Sequence, residues 1–343
     1  MAVLEINDLE VYYGMDGEDV RAVDGLSFAI EEGETLGIVG ESGCGKSTLA
    51  KAILGILPEN GYINGGEILF KGEDLTQMSS DRRRKHMWED ISMIPQSAMN
   101  GLDPVYTVRT QIVEAIETHR RGMAKAKANE TVDELFELVG LDPARADEYP
   151  HQFSGGMRQR AMIAMSLALD PAIILADEPT TALDVIMQDQ ILKRMSQIQE
   201  EINSSMMVIT HDVSVVAETC DRVLVMYAGT LAEEGDVASI FDSPYHPYTV
   251  GLNRAFPNIQ EPNRDLISIP GYPPDLSPPP SGCRFAKRCP LATEKCFEEQ
   301  PPEVQLNGVR SRCHHTDRID GELRPYAHEI ETWEETEAAK ELL

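Results

Sequence analysis

A chain of 343 residues with 42% hydrophobic side chains can bury one large core and an appendage, since single cores stop growing near about 250–300 residues. Its 30 Lys and Arg against 58 Asp and Glu leave a net charge of −28; that field repels polyanions and excludes a nucleic-acid partner, because the only compact basic run, Arg82-Arg83-Arg84-Lys85, reads as a solvated helix face. No run reaches the roughly 18 apolar residues of a membrane helix and the start, Met1–Asp8, lacks a signal-peptide layout, so a soluble chain that stays in the cytoplasm is expected. An acidic surface of this size also suits work in concentrated salt, where screening shortens repulsion to a few ångströms, and a halophile is expected.

From Val3 to about Ala232, short β-branched runs alternate with helical patterns, which predicts an α/β domain with a largely parallel sheet. The first clear strand, Thr35–Val39, leads into Gly40-Glu41-Ser42-Gly43-Cys44-Gly45-Lys46-Ser47-Thr48, which fits G-x-x-x-x-G-K-[ST] between a strand and a helix. Glycines there let backbone N–H groups turn inward around phosphates, and the helix N-terminus adds its dipole. Lys46 reaches the β- and γ-phosphates, and Ser47 can ligate Mg²⁺. Gln96 follows the strand-like Ile91–Pro95. Residues from about 97 to 165 read as an inserted helical subdomain: Val132, Leu135, Phe136 and Val139 keep helical spacing, and Gly140 is placed as a stop.

A second apolar strand, Ala172–Ala176, runs into Asp177 and Glu178. Strand side chains alternate, so one carboxylate should face a Mg²⁺ shell and the other an attacking water. Alone, such a pair is more often a cap or a turn; behind a phosphate loop it suits a hydrolase. Strands Met206–Thr210, followed by His211, and Arg222–Met226 complete the domain.

After about Pro244 the prolines Pro257, Pro262, Pro270, Pro273, Pro274, Pro278, Pro279 and Pro280 predict an irregular extension. It carries Cys283, Cys289, Cys296 and Cys313, separated by 6, 7 and 17 positions. That spacing matches neither the close C-x-x-C pairs of most zinc sites nor the common ferredoxin patterns, yet in a reducing cytoplasm such a set suggests metal before disulfides. Zinc, an iron–sulfur centre and plain thiols or disulfides all stay open, and His314 and His315 allow a mixed-ligand site. Cys44 reads as a small side chain in the loop and Cys220 as core. From about Tyr326 the tail is acidic with helical composition.

Phe153-Ser154-Gly155-Gly156-Met157-Arg158-Gln159-Arg160 resembles the signature motif of ABC ATPases, and Gln96, Ala182-Leu183-Asp184 and His211 follow that family's order, with Tyr13 matching its adenine-stacking aromatic. The resemblance covers residues 3–240. It implies a P-loop NTPase core over 1–243, a C-terminal extension over 244–325 and a tail over 326–343. It also implies that Tyr13, Gly40, Ser42, Gly43, Gly45, Lys46, Ser47 and Thr48 bind ATP, and that Ser47, Gln96 and Asp177 serve Mg²⁺. Glu178 is then the general base, His211 positions the γ-phosphate and the water, and Gln96 senses the metal and links the site to a membrane subunit. Two such domains would pair head to tail, with Ser154, Gly155 and Gly156 on the partner's ATP and Asp184 in the D-loop.

Ser243-Pro244-Tyr245-His246-Pro247-Tyr248-Thr249 and Gly282-Cys283-Arg284-Phe285-Ala286-Lys287-Arg288-Cys289-Pro290 are similar to the extension of dipeptide and oligopeptide importer ATPases, as are Asn100–Val105 and Gly156–Arg160 within the core. The same extension occurs on nickel and some sugar importers, so those solutes stay as alternatives, with a soluble non-transport ABC ATPase more remote. The resemblance implies a [4Fe–4S] cluster on Cys283, Cys289, Cys296 and Cys313. It further implies a paralogous ATPase subunit as partner in a heterodimer, two membrane-spanning permease subunits, an extracellular solute-binding protein, and a place on the cytoplasmic face of the membrane.

Overall fold

The computed structural model describes residues 1–15, 17–96, 101–120, 122–180, 185–255 and 269–333. Two compact units make up the chain, each discontinuous in sequence. One combines Met1–Leu4, Ala29–Thr35 and Leu69–Ile209; the other combines Glu5–Phe28, Leu36–Ile68 and Thr210–Leu343.

In the first unit, Ile91–Ile94, Ile173–Asp177 and Ser205–Ile209 lie parallel with Ile173–Asp177 in the middle. Every residue of the last two strands is buried, which is why they read as near-continuous apolar runs without alternation. Helices Val108–His119, Lys125–Leu138 and Gly155–Leu167 pack on one another. Thr107 caps the first of these, its hydroxyl accepting the Thr110 N–H at 3.3 Å. The second buries Ala128, Val132, Leu135 and Phe136 on one face and stops as expected at Gly140, whose φ of 70° is left-handed and whose N–H donates to the Glu137 carbonyl. Helix Val185–Ile202 adds Ile191, Leu192, Met195 and Ile198 to the buried side.

Ala2–Met15 lies between Glu18–Glu31 and Gly61–Phe70 in one sheet. A second sheet runs from Thr35–Val39, parallel to Arg222–Tyr227, through the antiparallel strand Thr230–Asp236. The sequence-based strand limits hold to within a residue or so at all four core strands.

The extension departs from expectation. Rather than being irregular throughout, it adds a hairpin: Val309–Arg312 pairs antiparallel with Thr230–Asp236, and Glu303–Leu306 pairs with Val309–Arg312. The turn is Asn307-Gly308, both at positive φ (48° and 84°), which is the strongest short-range hairpin signal a sequence offers. Proline density upstream masked it. Buried Glu234 is flanked by Arg222 and Arg310, which ties the added strand to the sheet. Helix Pro247–Ala255 buries Tyr248, Val250 and Leu252. The rings of Tyr227, Tyr248 and Phe285 meet at centroid distances of 4.7, 5.2 and 5.5 Å, so the extension shares one core with the sheet.

Glu233, fully buried, accepts the N–H groups of Tyr245 and His246 just ahead of that helix. Burial raises its carboxyl from 4.5 to about 7, against the opposing pull of those N–H groups, the Thr249 hydroxyl and Arg324. Between these values the folded chain holds a proton that the unfolded chain has released, so this group's contribution to stability falls as pH rises through the window. Glu233→Gln removes the titration. In urea unfolding at about pH 5 and about pH 8, the stability gap between native and variant should narrow as pH rises; a gap independent of pH refutes the protonated carboxyl. At the hairpin, Gly308→Val should cost about 1–2 kcal/mol, read as a lower urea midpoint. No atom lies within 4 Å of the added Cβ, so the cost is conformational, and Gly308→Asn should be milder.

Candidate functional site

The second unit holds the phosphate loop. Strand Thr35–Val39 turns through Gly40–Gly45 into helix Lys46–Leu54, which opens on Gly45 in the left-handed region at φ 105°. A Cβ at Gly45 would run into the Ala22 carbonyl, so a side chain there is barred twice, by conformation and by space. The Lys46 ammonium donates to the Gly40 and Glu41 carbonyls at 2.6 and 3.0 Å, closing the loop on itself. Cys44 is buried beneath the loop; burial raises its thiol pKa, partly opposed by Lys46, whose Nζ lies 3.6 Å from the sulfur. Ser47 and Thr48 sit in the first turn of the helix, with Ser42 and Gly43 on the loop ahead of it. The Tyr13 hydroxyl lies 3.1 Å from Thr48 Oγ1, and Gly61 packs so closely on the Tyr13 ring that its missing Cβ would stand 2.8 Å from the ring edge. His211 is exposed, directly after Thr210, whose N–H donates to the Ile38 carbonyl at 3.1 Å, and before Asp212, which caps helix Val213–Thr219.

The first unit holds the acids. Asp177 is the buried last residue of its strand. Glu178 does not continue the alternation: its backbone is left-handed at φ 49°, and its N–H donates to the Ile209 carbonyl at 2.7 Å. A non-glycine residue in that region is sparsely populated, so the two carboxylates diverge by a backbone turn and not by strand pleat. The Gln96 side-chain amide donates to Glu178 Oε2 at 3.0 Å, bringing together two residues 82 positions apart.

Ser154 caps helix Gly155–Leu167, its hydroxyl accepting the Met157 N–H at 3.3 Å, so Gly155 and Gly156 form the first turn. A Cβ on Gly156 would stand 2.7 Å from Met187 Cε. Gln159, buried one turn on, donates to the Pro179 carbonyl just past Glu178. Sequence reasoning missed this tie, since an amide inside a helix carries no periodic signal. It likewise missed Tyr248, whose hydroxyl accepts the Glu41 N–H, and Arg288, which pairs with Glu41. Asp184 lies outside the described residues.

The metal expectation for the extension is corrected. All six cysteines are free thiols, and among the described residues no group of three or more His, Cys, Asp or Glu side chains is placed to hold a metal ion. Cys283 and Cys289 pack against the extension's core, and Cys296 and Cys313 are buried. Burial pushes Cys283 up to about 11 and Cys313 up to about 12, with neighbouring thiols adding to the shift. The [4Fe–4S] cluster and the zinc alternative are both withdrawn.

The ABC transporter family pattern matches residues 23–181, and the pattern of the oligopeptide/dipeptide transporter C-terminal region matches residues 232–296. A dipeptide transport ATP-binding protein of Lactococcus lactis is 47% identical over 89% of this chain and 88% of its own length. The corresponding Escherichia coli protein is 43% identical over 95% and 99%, and an oligopeptide transport ATP-binding protein of Bacillus subtilis is 45% identical over 89% and 86%. Among solved structures, the dimeric ATP-binding cassette MJ0796 bound to ADP and Pi is similar with a TM-score of 0.62 at 28% identity, over 68% of this chain and 98% of that one. These matches support the transporter reading and none supports the halophile, so the −28 charge is left as a property of composition alone. Among the described residues no helix is long and apolar enough to cross a membrane.

Gly45→Ala should weaken nucleotide affinity by about 100-fold or more, because the loop must move off its geometry. Gly43→Ala, at φ 81° with open space around it, should lose about tenfold from backbone cost alone. Equilibrium titration with a fluorescent ATP analogue checks both, and equal losses would contradict the steric argument at Gly45.

Proposed function

The chain belongs to the ATP-binding subunits of the dipeptide and oligopeptide ABC transporters, and on that premise we propose that it hydrolyses ATP to drive the import of peptides across a cell membrane. The observation that carries the reading is the presence of both patterns in one chain: the ABC transporter pattern spans the phosphate loop and the strand-end acids, and the peptide-transporter pattern, over residues 232–296, covers the first part of the extension. Nickel or sugar import and a soluble non-transport role find no support in these matches.

In this reading Gly40, Ser42, Gly43, Gly45, Lys46, Ser47 and Thr48 hold the phosphates at a helix N-terminus, where backbone N–H groups and the dipole favour anions. Tyr13 takes the adenine. Ser47, Gln96 and Asp177 would hold Mg²⁺; a hydroxyl, an amide carbonyl and a carboxylate form the hard-oxygen donor set that ion takes. When bound, it neutralises charge on the β- and γ-phosphate oxygens.

Glu178 accepts the proton of the attacking water. The Gln96 amide, donating to Glu178 Oε2 at 3.0 Å, holds that carboxylate in one rotamer. His211 orients the water and the γ-phosphate. Phosphoryl transfer needs little more from the protein than positioning and charge stabilisation.

Ser154, Gly155 and Gly156, at the start of a 13-residue helix, contact ATP held by a second ATPase, with Asp184 in the D-loop alongside. The likeness to a dimeric cassette supports pairing; a paralogue as the partner, two permease subunits, an extracellular solute-binding protein and a peripheral position on the cytoplasmic face belong to the same reading. The domain limits 1–243, 244–325 and 326–343 belong to the same proposal.

Glu178→Gln should slow ATP hydrolysis by roughly 10²–10⁴-fold while leaving ATP binding intact. In intact cells with matched expression, uptake of labelled di- and pentapeptides should collapse with the variant. Equal uptake by native and variant cells would remove the peptide assignment.

A further inference from the structure

The extension reaches the phosphate loop through two residues that have no part in the chemistry above. Arg288 is 6% exposed in its side chain, and each of its five guanidinium N–H groups finds a partner. Nε donates to the Pro270 carbonyl at 2.9 Å. Nη1 donates to Glu41 Oε2 at 2.8 Å and to the Tyr227 hydroxyl at 3.1 Å; Nη2 donates to Glu41 Oε1 at 2.9 Å and to the Ile269 carbonyl at 3.2 Å. The guanidinium also stands 5.7 Å from the Tyr227 ring centroid. A planar fork meeting a carboxylate at both oxygens, with the guanidinium itself shielded from water, fixes direction as well as distance, which a lysine ammonium cannot do.

Glu41 is the second residue of the loop, and it is held at each of its polar groups. Its carboxylate is gripped by Arg288. Its N–H donates to the hydroxyl of fully buried Tyr248 at 2.9 Å. Its carbonyl accepts the Lys46 ammonium at 3.0 Å and the Cys44 N–H at 3.2 Å. Both faces of the Glu41 peptide are therefore set by contacts with residues 247 and 207 positions away on one side and by the loop's own lysine on the other.

We propose that the extension is a structural part of the nucleotide site, with Arg288 and Tyr248 as positioning residues that hold Glu41 and thereby preset the phosphate loop before ATP arrives. The proposal rests on the reading of this loop as the ATP site. Its physical content is preorganisation: a loop already held in shape loses less freedom on binding, so breaking the hold weakens affinity without removing any group that touches the nucleotide.

The test uses the purified full chain, a fluorescent ATP analogue with Mg²⁺, and the melting temperature without nucleotide. Arg288→Met and Glu41→Gln should each weaken affinity by roughly tenfold, and the double variant should be no weaker than either single one, because both break one interaction. Arg288→Lys should recover only part of the loss. Arg318→Met, which breaks the Arg318–Glu322 pair elsewhere in the extension, should leave affinity unchanged whatever it does to melting. If Arg288→Met does not fold, Glu41→Gln carries the test.

Native affinity in both single variants overturns the proposal while leaving the ATP site standing. So does an equal loss in Arg318→Met, which would make the effect a general loosening of the extension. A folded native chain that fails to bind the analogue overturns the reading of the loop itself, and the proposal with it.

Discussion

Backbone N–H groups can gather round a phosphate only where the chain turns sharply and no side chain stands in the way, and the segment from Gly40 to Thr48 is built on that constraint. Gly45 opens the helix at φ 105°, in a space closed by the Ala22 carbonyl. Lys46 reaches back to the carbonyls of Gly40 and Glu41, so its charge is held against oxygens of the same loop. Cys44 fills the space beneath as a desolvated thiol. A loop with so few side-chain contacts of its own needs support from outside, and in the second unit it comes from Tyr248 and Arg288.

The strand-end acids obey a different rule. A strand buried on both faces offers a buried Asp177 at its end, but a second carboxylate can diverge only if the backbone leaves the strand. Glu178 does so in a left-handed conformation that a side chain adopts at some cost, sustained by its N–H bond to Ile209 and by Gln96 on its carboxylate. The helix begun by Ser154 is tied to the same stretch of chain through Gln159 and the Pro179 carbonyl. A glycine-opened helix start and the strand-end acids thus belong to one packed unit.

The extension shows how a proline-rich segment satisfies its backbone. Buried N–H and carbonyl groups must pair, and here they do so by adding the Glu303–Leu306 and Val309–Arg312 strands to the sheet and by delivering the N–H groups of Tyr245 and His246 to a buried carboxylate. The aromatic cluster of Tyr227, Tyr248 and Phe285 supplies the apolar contact that holds sheet, helix and extension in one core. Cys283 and Cys289 pack at the margin of that core, and among the described residues no side-chain group placed to hold a metal forms where the number of thiols suggested one.

Local grammar was enough to find what depends on neighbours in the chain. The phosphate loop, the Gly140 helix stop and the four core strands follow from glycine conformations, helical spacing and apolar runs, all of which act over a few residues. The Asn307-Gly308 turn belonged to that class and was hidden by the prolines before it. Other features exist only once distant segments meet: the Gln96–Glu178 bond, the Gln159–Pro179 tie and the grip of Arg288 on Glu41 join residues 82, 20 and 247 positions apart. No spacing rule encodes such pairs, because their partners are chosen by the packing of strands and helices. For the same reason cysteine spacing alone could not say whether four thiols converge on a metal, a question decided by where the extension's turns aim them.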